Sequence, residues 1–188
     1  FIGGVEGPVI GRFQAGFEKG VADAGKKLGK DIQITSTYAG TFADASKGRA
    51  LASSMYQAGA DIIYHAAATT GQGIFQEAKA LNETGSKDKV WVIGVDRDQN
   101  EDGKYTTKDG KDDNLTLAST IKGVNIAVKK ISDLALEDKF PGGEHLTYGL
   151  KDGGVDLTTE ALSDQAKTAV KEAKEQIISG DVKVPDQP

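Results

Sequence analysis

The chain has no cysteine. That excludes a disulfide framework, a thiol nucleophile and Cys-ligated zinc, and it suits an extracytoplasmic protein. Basic residues are outnumbered: 23 Lys and Arg stand against 28 Asp and Glu, for a net charge of -5 and a pI near 5.1. Without a concentrated basic face, no nucleic-acid partner is expected. No apolar run approaches the roughly 20 residues that span a bilayer, and no signal peptide is visible. The two histidines, His65 and His145, lie on different expected strands, with no third ligand type at metal spacing and no Ser-His-Asp arrangement. Neither Gly-x-x-x-x-Gly-Lys-Ser/Thr nor Gly-x-Gly-x-x-Gly occurs, so Gly3-Gly4-Val5-Glu6-Gly7 reads as a tight turn before a helix rather than a phosphate cradle. No tandem repeat is present, and no cofactor is implied.

What is there is a series of short apolar segments alternating with helical stripes. A length of 188 residues allows one large domain, or a domain with part of another, and a core that buries roughly 70% of the unfolded chain's surface. Val90-Trp91-Val92-Ile93-Gly94-Val95 is too short for a helix burying one stripe and suits a strand buried on both faces of a parallel sheet. It stops on Asp96, and ligands of open α/β sheets sit beyond the carboxyl ends of the strands. A second short apolar stretch, Leu115–Ser119, leads to Lys122.

The remaining expected elements follow the same alternation. Phe1–Gly3 reads as the end of a strand, which points to a fragment whose N-terminal part lies elsewhere. Pro8 opens a helix whose stripe is Val9, Phe13, Phe17 and Val21, with Gly25 and Gly29 at its exit. Ile32–Tyr38 is expected as a strand, Gly40–Phe42 as a turn, and a helix runs through Ala50 and Met55 to Gly59. Asp61–Ala66 is the third strand, and Thr69–Gly73 the loop opening a helix from Ile74 to about Leu81. Asn100–Asp113 is expected as an exposed loop. A helix opened by Lys122 or Gly123 passes through Ile126 and Leu134. His145–Leu150 pairs with Gly154–Leu157, a last helix spans Ser163 to Ser179, and Val182–Val184 forms an edge strand. Alternating units of this kind imply a parallel sheet with helices on both faces, the loops after the strands gathering on one side.

Three further patterns carry chemistry. Asp96 and Asp98 form an Asp-x-Asp after a strand, as in magnesium-dependent phosphatases of the haloacid dehalogenase type; there the motif stands near the start of the domain, whereas here it falls late and Gln99 follows. A turn-capping aspartate is the competing reading for Asp98. Asp98, Asn100, Asp102, Gly103 and Asp109 fall on calcium-loop positions, although position twelve is usually glutamate and no helix precedes them. Tyr64 and His65 end a strand, and alternation puts them on opposite sides, so one can face the crevice.

Taken in order, Gly3-Gly4-Val5-Glu6-Gly7, Arg12–Gly20, Tyr38-Ala39-Gly40-Thr41-Phe42-Ala43-Asp44, Ala58–Ile63, Thr70-Gly71-Gln72-Gly73, Val92-Ile93-Gly94-Val95-Asp96 and Ser119-Thr120-Ile121-Lys122 resemble the basic membrane protein family, which includes purine nucleoside receptor lipoproteins of bacterial ABC importers. The resemblance implies a type I periplasmic-binding-protein fold: α/β, a parallel sheet flanked by helices, two lobes and a hinge. Residues 1–121 would be the second lobe and residues 122–188 would cross the hinge and complete the lobes. The first lobe and any signal sequence or lipid-anchor cysteine would lie outside this chain. It further implies that Asp96 and Lys122 bind ribose hydroxyls, that Gly40 approaches the nucleoside, that Tyr64 or His65 stacks on the base, and that Gly71 belongs to the ligand-binding set. The implied protein is no enzyme. It is an extracytoplasmic, lipid-anchored receptor whose partner is an ABC permease–ATPase complex. A sugar or autoinducer receptor of the same fold, an Asp-x-Asp phosphatase and a transcriptional effector domain are the alternatives.

Overall fold

The computed structural model describes residues 1–85 and 88–188. Its first part is built from βα units. Strand β1 (Ile2–Gly3) leads to helix α1 (Pro8–Leu28), β2 (Thr37–Tyr38) to α2 (Ala45–Gln57), and β3 (Ile62–Ala66) to α3 (Thr70–Thr84). Strand β4 (Trp91–Gly94) is followed by a short 3-10 turn, Glu101–Gly103, and by a hairpin of β5 (Lys104–Thr106) and β6 (Asp112–Asn114). Then come β7 (Thr116–Lys122), α4 (Val124–Leu136), β8 (Val155–Leu157) and α5 (Asp164–Ser179). The main sheet has the order β2-β1-β3-β4-β7-β8; its first five strands are parallel and β8 runs antiparallel to β7.

Local chemistry explains the boundaries. Pro8 supplies a preset φ and lacks only an N–H that would go unused in the first turn. Gly29, at φ 62, closes the helix in the left-handed region. Asp44 caps α2, its carboxylate accepting the Lys47 N–H at 3.0 Å, and Ser163 does the same for α5 through Ala166.

The core has two faces, set by strand alternation. Ile2, Ile63 and Val92 point toward α2 and α3 and pack with Met55, Tyr56, Ile74 and Phe75. Phe1, Tyr64 and Ala66 point the other way and pack with Ile10, Phe13 and Phe17 of α1. A fully buried Ile or Val contributes about 1.5–3 kcal/mol.

Several expected boundaries move. The α1 stripe starts at Ile10, not Val9, which is exposed. The strand expected over Ile32–Tyr38 shrinks to Thr37–Tyr38, because β2 is an edge strand and Ile32 and Ile34 stay in solvent. Thr70 and Gly71 belong to the first turn of α3, not to a loop. The segment Asn100–Asp113 is no plain loop: Tyr105 is buried, its hydroxyl donates to Asp113 at 2.7 Å, and Thr107 closes the hairpin by accepting Lys111 N–H. Lys122 ends β7 rather than opening α4. His145–Leu150 does not pair with Val155–Leu157, which bonds to β7 instead, and Val182–Val184 forms no strand.

Candidate functional site

The strand order turns at β1, with β2 on one side and β3 on the other. Crevices at such switch points, beyond the carboxyl ends of the strands, take ligands in open α/β sheets. The loops there are stitched together. Gly4 N–H donates to Ala66 O at 2.9 Å and Ala39 N–H to Gly3 O at 2.8 Å. Buried Thr70 donates its hydroxyl to Thr41 O and accepts the Asp44 N–H.

Asp96 follows β4 and Lys122 ends β7, the neighbouring strand. The structure brings them together: Lys122 Nζ lies 2.7 Å from Asp96 Oδ1, with side chains 52% and 47% exposed. The Lys122 N–H also donates to Asp96 O at 2.9 Å. An ion pair this open is worth about 0–1 kcal/mol, so a polar ligand can replace either partner at little cost. Asp96 itself has φ +69, and Arg97 N–H donates to Val95 O at 2.8 Å across it. It therefore sits at the apex of the rarer, strained kind of γ-turn. Such backbone costs of order 1–3 kcal/mol and clusters at ligand sites. A carboxylate presented this way accepts from two vicinal hydroxyls, while an ammonium donates to a ligand oxygen.

Gly40 lies on the same edge, after β2, exposed and at φ +71, a conformation that favours glycine. Tyr64, His65 and Gly71 do not reach the edge. The Tyr64 ring is buried against Phe1 and Phe17, with centroids 5.6 and 5.3 Å away; burial pushes its hydroxyl up to about 12, and that hydroxyl shares a hydrogen bond with Thr120. His65 is wholly buried on the opposite face, edge-on to Phe75. Burial pushes its imidazole down to about 4. Gly71 is packed on that imidazole: a Cβ there would fall 2.2 Å from its Cε1. The expectation that Tyr64 or His65 stacks on a base is thus corrected, since helices α1 and α3 cover both rings.

Phe42 was missed as more than part of a turn. Its ring lies across Gly4, where a Cβ would come within 2.2 Å of it, and it remains 40% exposed at the carboxyl edge. The signal available in the sequence was an aromatic directly after Gly40-Thr41, with no helical or strand partner to bury it.

The acidic residues singled out for metal or phosphatase chemistry are engaged in local bonds. Asp98 Oδ1 accepts the Asn100 N–H at 2.9 Å, as a turn cap does. Asp102 is held by Arg97 and Gln99, and Asp109 by Thr107 and Lys111 at the hairpin tip. Among the described residues no three His, Cys, Asp or Glu gather as a metal site.

A mostly parallel sheet flanked by helices is the architecture of the periplasmic-binding-protein fold. The chain belongs to the Bmp family, ABC transporter substrate-binding protein PnrA-like, whose model matches residues 1–188. It is 48% identical over 188 residues to the ABC transporter nucleoside-binding protein BmpA of Lactococcus lactis subsp. cremoris, covering 100% of this chain and 52% of that protein. It is also 48% identical to the CD4+ T-cell-stimulating antigen of Listeria monocytogenes, over 100% of this chain and 52% of that one. A crystal structure of ABC transporter solute-binding proteins from Aeropyrum pernix K1 superposes with TM-score 0.81 at 26% identity, over 98% of this chain and 56% of that one. The chain spans about half the length of these relatives.

Proposed function

We propose that this chain is the ribose-gripping lobe of an extracytoplasmic, lipid-anchored receptor that captures purine nucleosides for an ABC permease–ATPase complex. The observation that carries the reading is the half-exposed Asp96–Lys122 pair at the carboxyl edge. Asp96 accepts the ribose hydroxyls, Lys122 donates to a ribose oxygen, and Gly40 permits close approach of the nucleoside. Phe42 offers the exposed π face on which a base stacks, a role earlier assigned to Tyr64 or His65. It favours a nucleoside over a bare sugar, which the ion pair alone would serve equally. The name of the Lactococcus relative, a nucleoside-binding protein, supports the same choice. Binding of this kind needs no activated nucleophile.

Residues 1–121 supply this lobe. Residues 122–188 cross the hinge and complete the lobes: neither α4 nor α5 buries a residue, and Val128 and Leu136 are 59% and 84% exposed. Their apolar faces await the part of the polypeptide that the longer relatives carry.

Calorimetric titration of the full-length polypeptide with guanosine, adenosine, inosine and ribose, beside Asp96→Ala, tests the reading. Tight nucleoside binding with heat lost in the variant is expected. Binding of ribose alone, or an unchanged variant, would overturn it.

A further inference from the structure

Behind Asp96 lies a buried polar knot whose centre is Gln99. Its carboxamide oxygen accepts the Val95 N–H at 2.8 Å, and the His65 Nε2 lies 3.1 Å from the same atom. Because a backbone donor identifies that atom as oxygen, the His65 Nε2 must carry the proton and donate. The amide nitrogen donates to Asp102 at 2.9 Å, the backbone N–H to Ser119 Oγ at 3.0 Å, and the backbone carbonyl accepts the Thr116 hydroxyl at 3.1 Å. The Gln99 side chain therefore ties β3 to the end of β4, and its backbone ties both to β7. The packing leaves no slack: a Cβ on Gly94 would fall 2.8 Å from both Gln99 Oε1 and Ser119 Oγ.

Val95 opens the strained turn that has Asp96 at its apex, and Gln99 closes the same loop. The open ion pair with Lys122 is too weak to hold a strained residue in place. Strain of this kind persists only where the surroundings over-determine it; here the Lys122 N–H on the Asp96 carbonyl holds one side of the turn and the bonds of Gln99 hold the other. We propose that Gln99 is the positioning residue of the site, setting ligand affinity by holding Asp96 in its left-handed conformation without touching the ligand. This rests on the reading of Asp96 as a ligand-binding carboxylate.

The test is a double-mutant cycle on the full-length polypeptide, with guanosine and adenosine as probes. Gln99→Leu keeps the volume and removes every side-chain bond. It should weaken binding about tenfold to a hundredfold, as expected for a lost buried network that orients a contact. It should also erase the strong intraresidue HN–Hα contact that positive φ gives Asp96 in NMR spectra of the ligand-free protein. Added to Asp96→Ala, it should weaken binding no further, because both act through one carboxylate. Parent affinity in a folded Gln99→Leu, an unchanged Asp96 signature, or losses that add to those of Asp96→Ala would each overturn the proposal. An Asp96→Ala single variant that binds like the parent would sink the functional reading itself, and the positioning role with it. Should Gln99→Leu not fold, Ser119→Ala removes only the acceptor of the Gln99 N–H and enters the same cycle with the same expected signs.

Discussion

Residues 1–121 and residues 122–188 carry similar helical stripes, yet they fold on different terms. In the first region the stripes close on a sheet: Ile2, Ile63, Ile74 and Val92 are sealed from solvent. In the second, α4 and α5 bury nothing, and Val124, Val128, Leu136 and Phe140 face water. What ties the second region to the first is mostly polar: β8 on the free edge of β7, the Thr158 hydroxyl on Ser119 N–H, and ion pairs such as Lys27–Glu172 and Arg12–Asp186. Amphipathic periodicity reports that a face is meant to be covered; it does not report what covers it.

The largest effect should separate the two regions directly. Ile63→Ala leaves a cavity between the sheet and α2/α3 and is expected to cost about 2–5 kcal/mol. Val128→Ala, at an exposed position of α4, should stay within about 0.5 kcal/mol in this chain. Urea midpoints of the two variants decide the matter, and comparable losses would break the distinction.

Acid should act on the first region through His65. Its imidazole is neutral in the fold, held down to about 4 by burial, while the unfolded group takes a proton below its ordinary 6.5. The stability it contributes is therefore complete above pH 6.5 and is lost as pH falls toward 4, a swing on the order of 3 kcal/mol. Among the described residues the His65 Nδ1 has no hydrogen-bond partner, and the Gln99 bond and the charges of Asp96 and Asp102 offset the burial only in part. His145 is exposed in the second region. Denaturation followed between pH 7 and 4.5 should show a decline that shrinks in His65→Gln and persists in His145→Gln; a decline unchanged by His65→Gln would refute the assignment.

At the edge of the first region, Phe42→Ala should weaken nucleoside binding by about 1–3 kcal/mol, the usual worth of one base stack. Ribose affinity should hardly change. Equal losses for ribose and nucleoside would show that Phe42 shapes the loop over Gly4 rather than stacking on a base.

How much of this was legible depends on where the cause of each feature lies. Strands buried on both faces write continuous apolar runs, so Ile62–Ala66 and Trp91–Gly94 could be read locally, as could the last helix from Ser163 to Ser179. Asp96 was legible as a carboxylate just past a buried strand; Lys122 was expected after a short apolar stretch or at a helix start, and only the pairing of β4 with β7 sets it beside Asp96. The hairpin of β5 and β6 was not legible: its short ladder is closed by the bonds of Tyr105 and Thr107, which follow no period. Alternation separated Tyr64 from His65 but could not say that α1 and α3 would cover both. Gln99 escaped because its partners His65, Val95, Thr116 and Ser119 meet only after three strands have paired.

The smallest effect sharpens the contrast most. Lys174–Asp156 joins α5 to β8 at 2.9 Å, and Lys27–Glu172 joins α5 to α1 at the same distance, all four side chains being more than a third exposed. Each such pair is worth at most about 1 kcal/mol, and at 1 M salt the screening length falls to about 3 Å. Salt should therefore loosen α5 on this chain while leaving β3 and β4 unaffected, since apolar burial is not screened. Hydrogen exchange at low and high salt would show it as faster exchange confined to residues 164–179, and Lys174→Met at low salt should reproduce part of the change. In the full-length polypeptide the salt effect should vanish, because the apolar stripe of α5 would then be buried. Salt-sensitive exchange persisting there would mean that polar tethers, not a covering surface, hold this helix throughout.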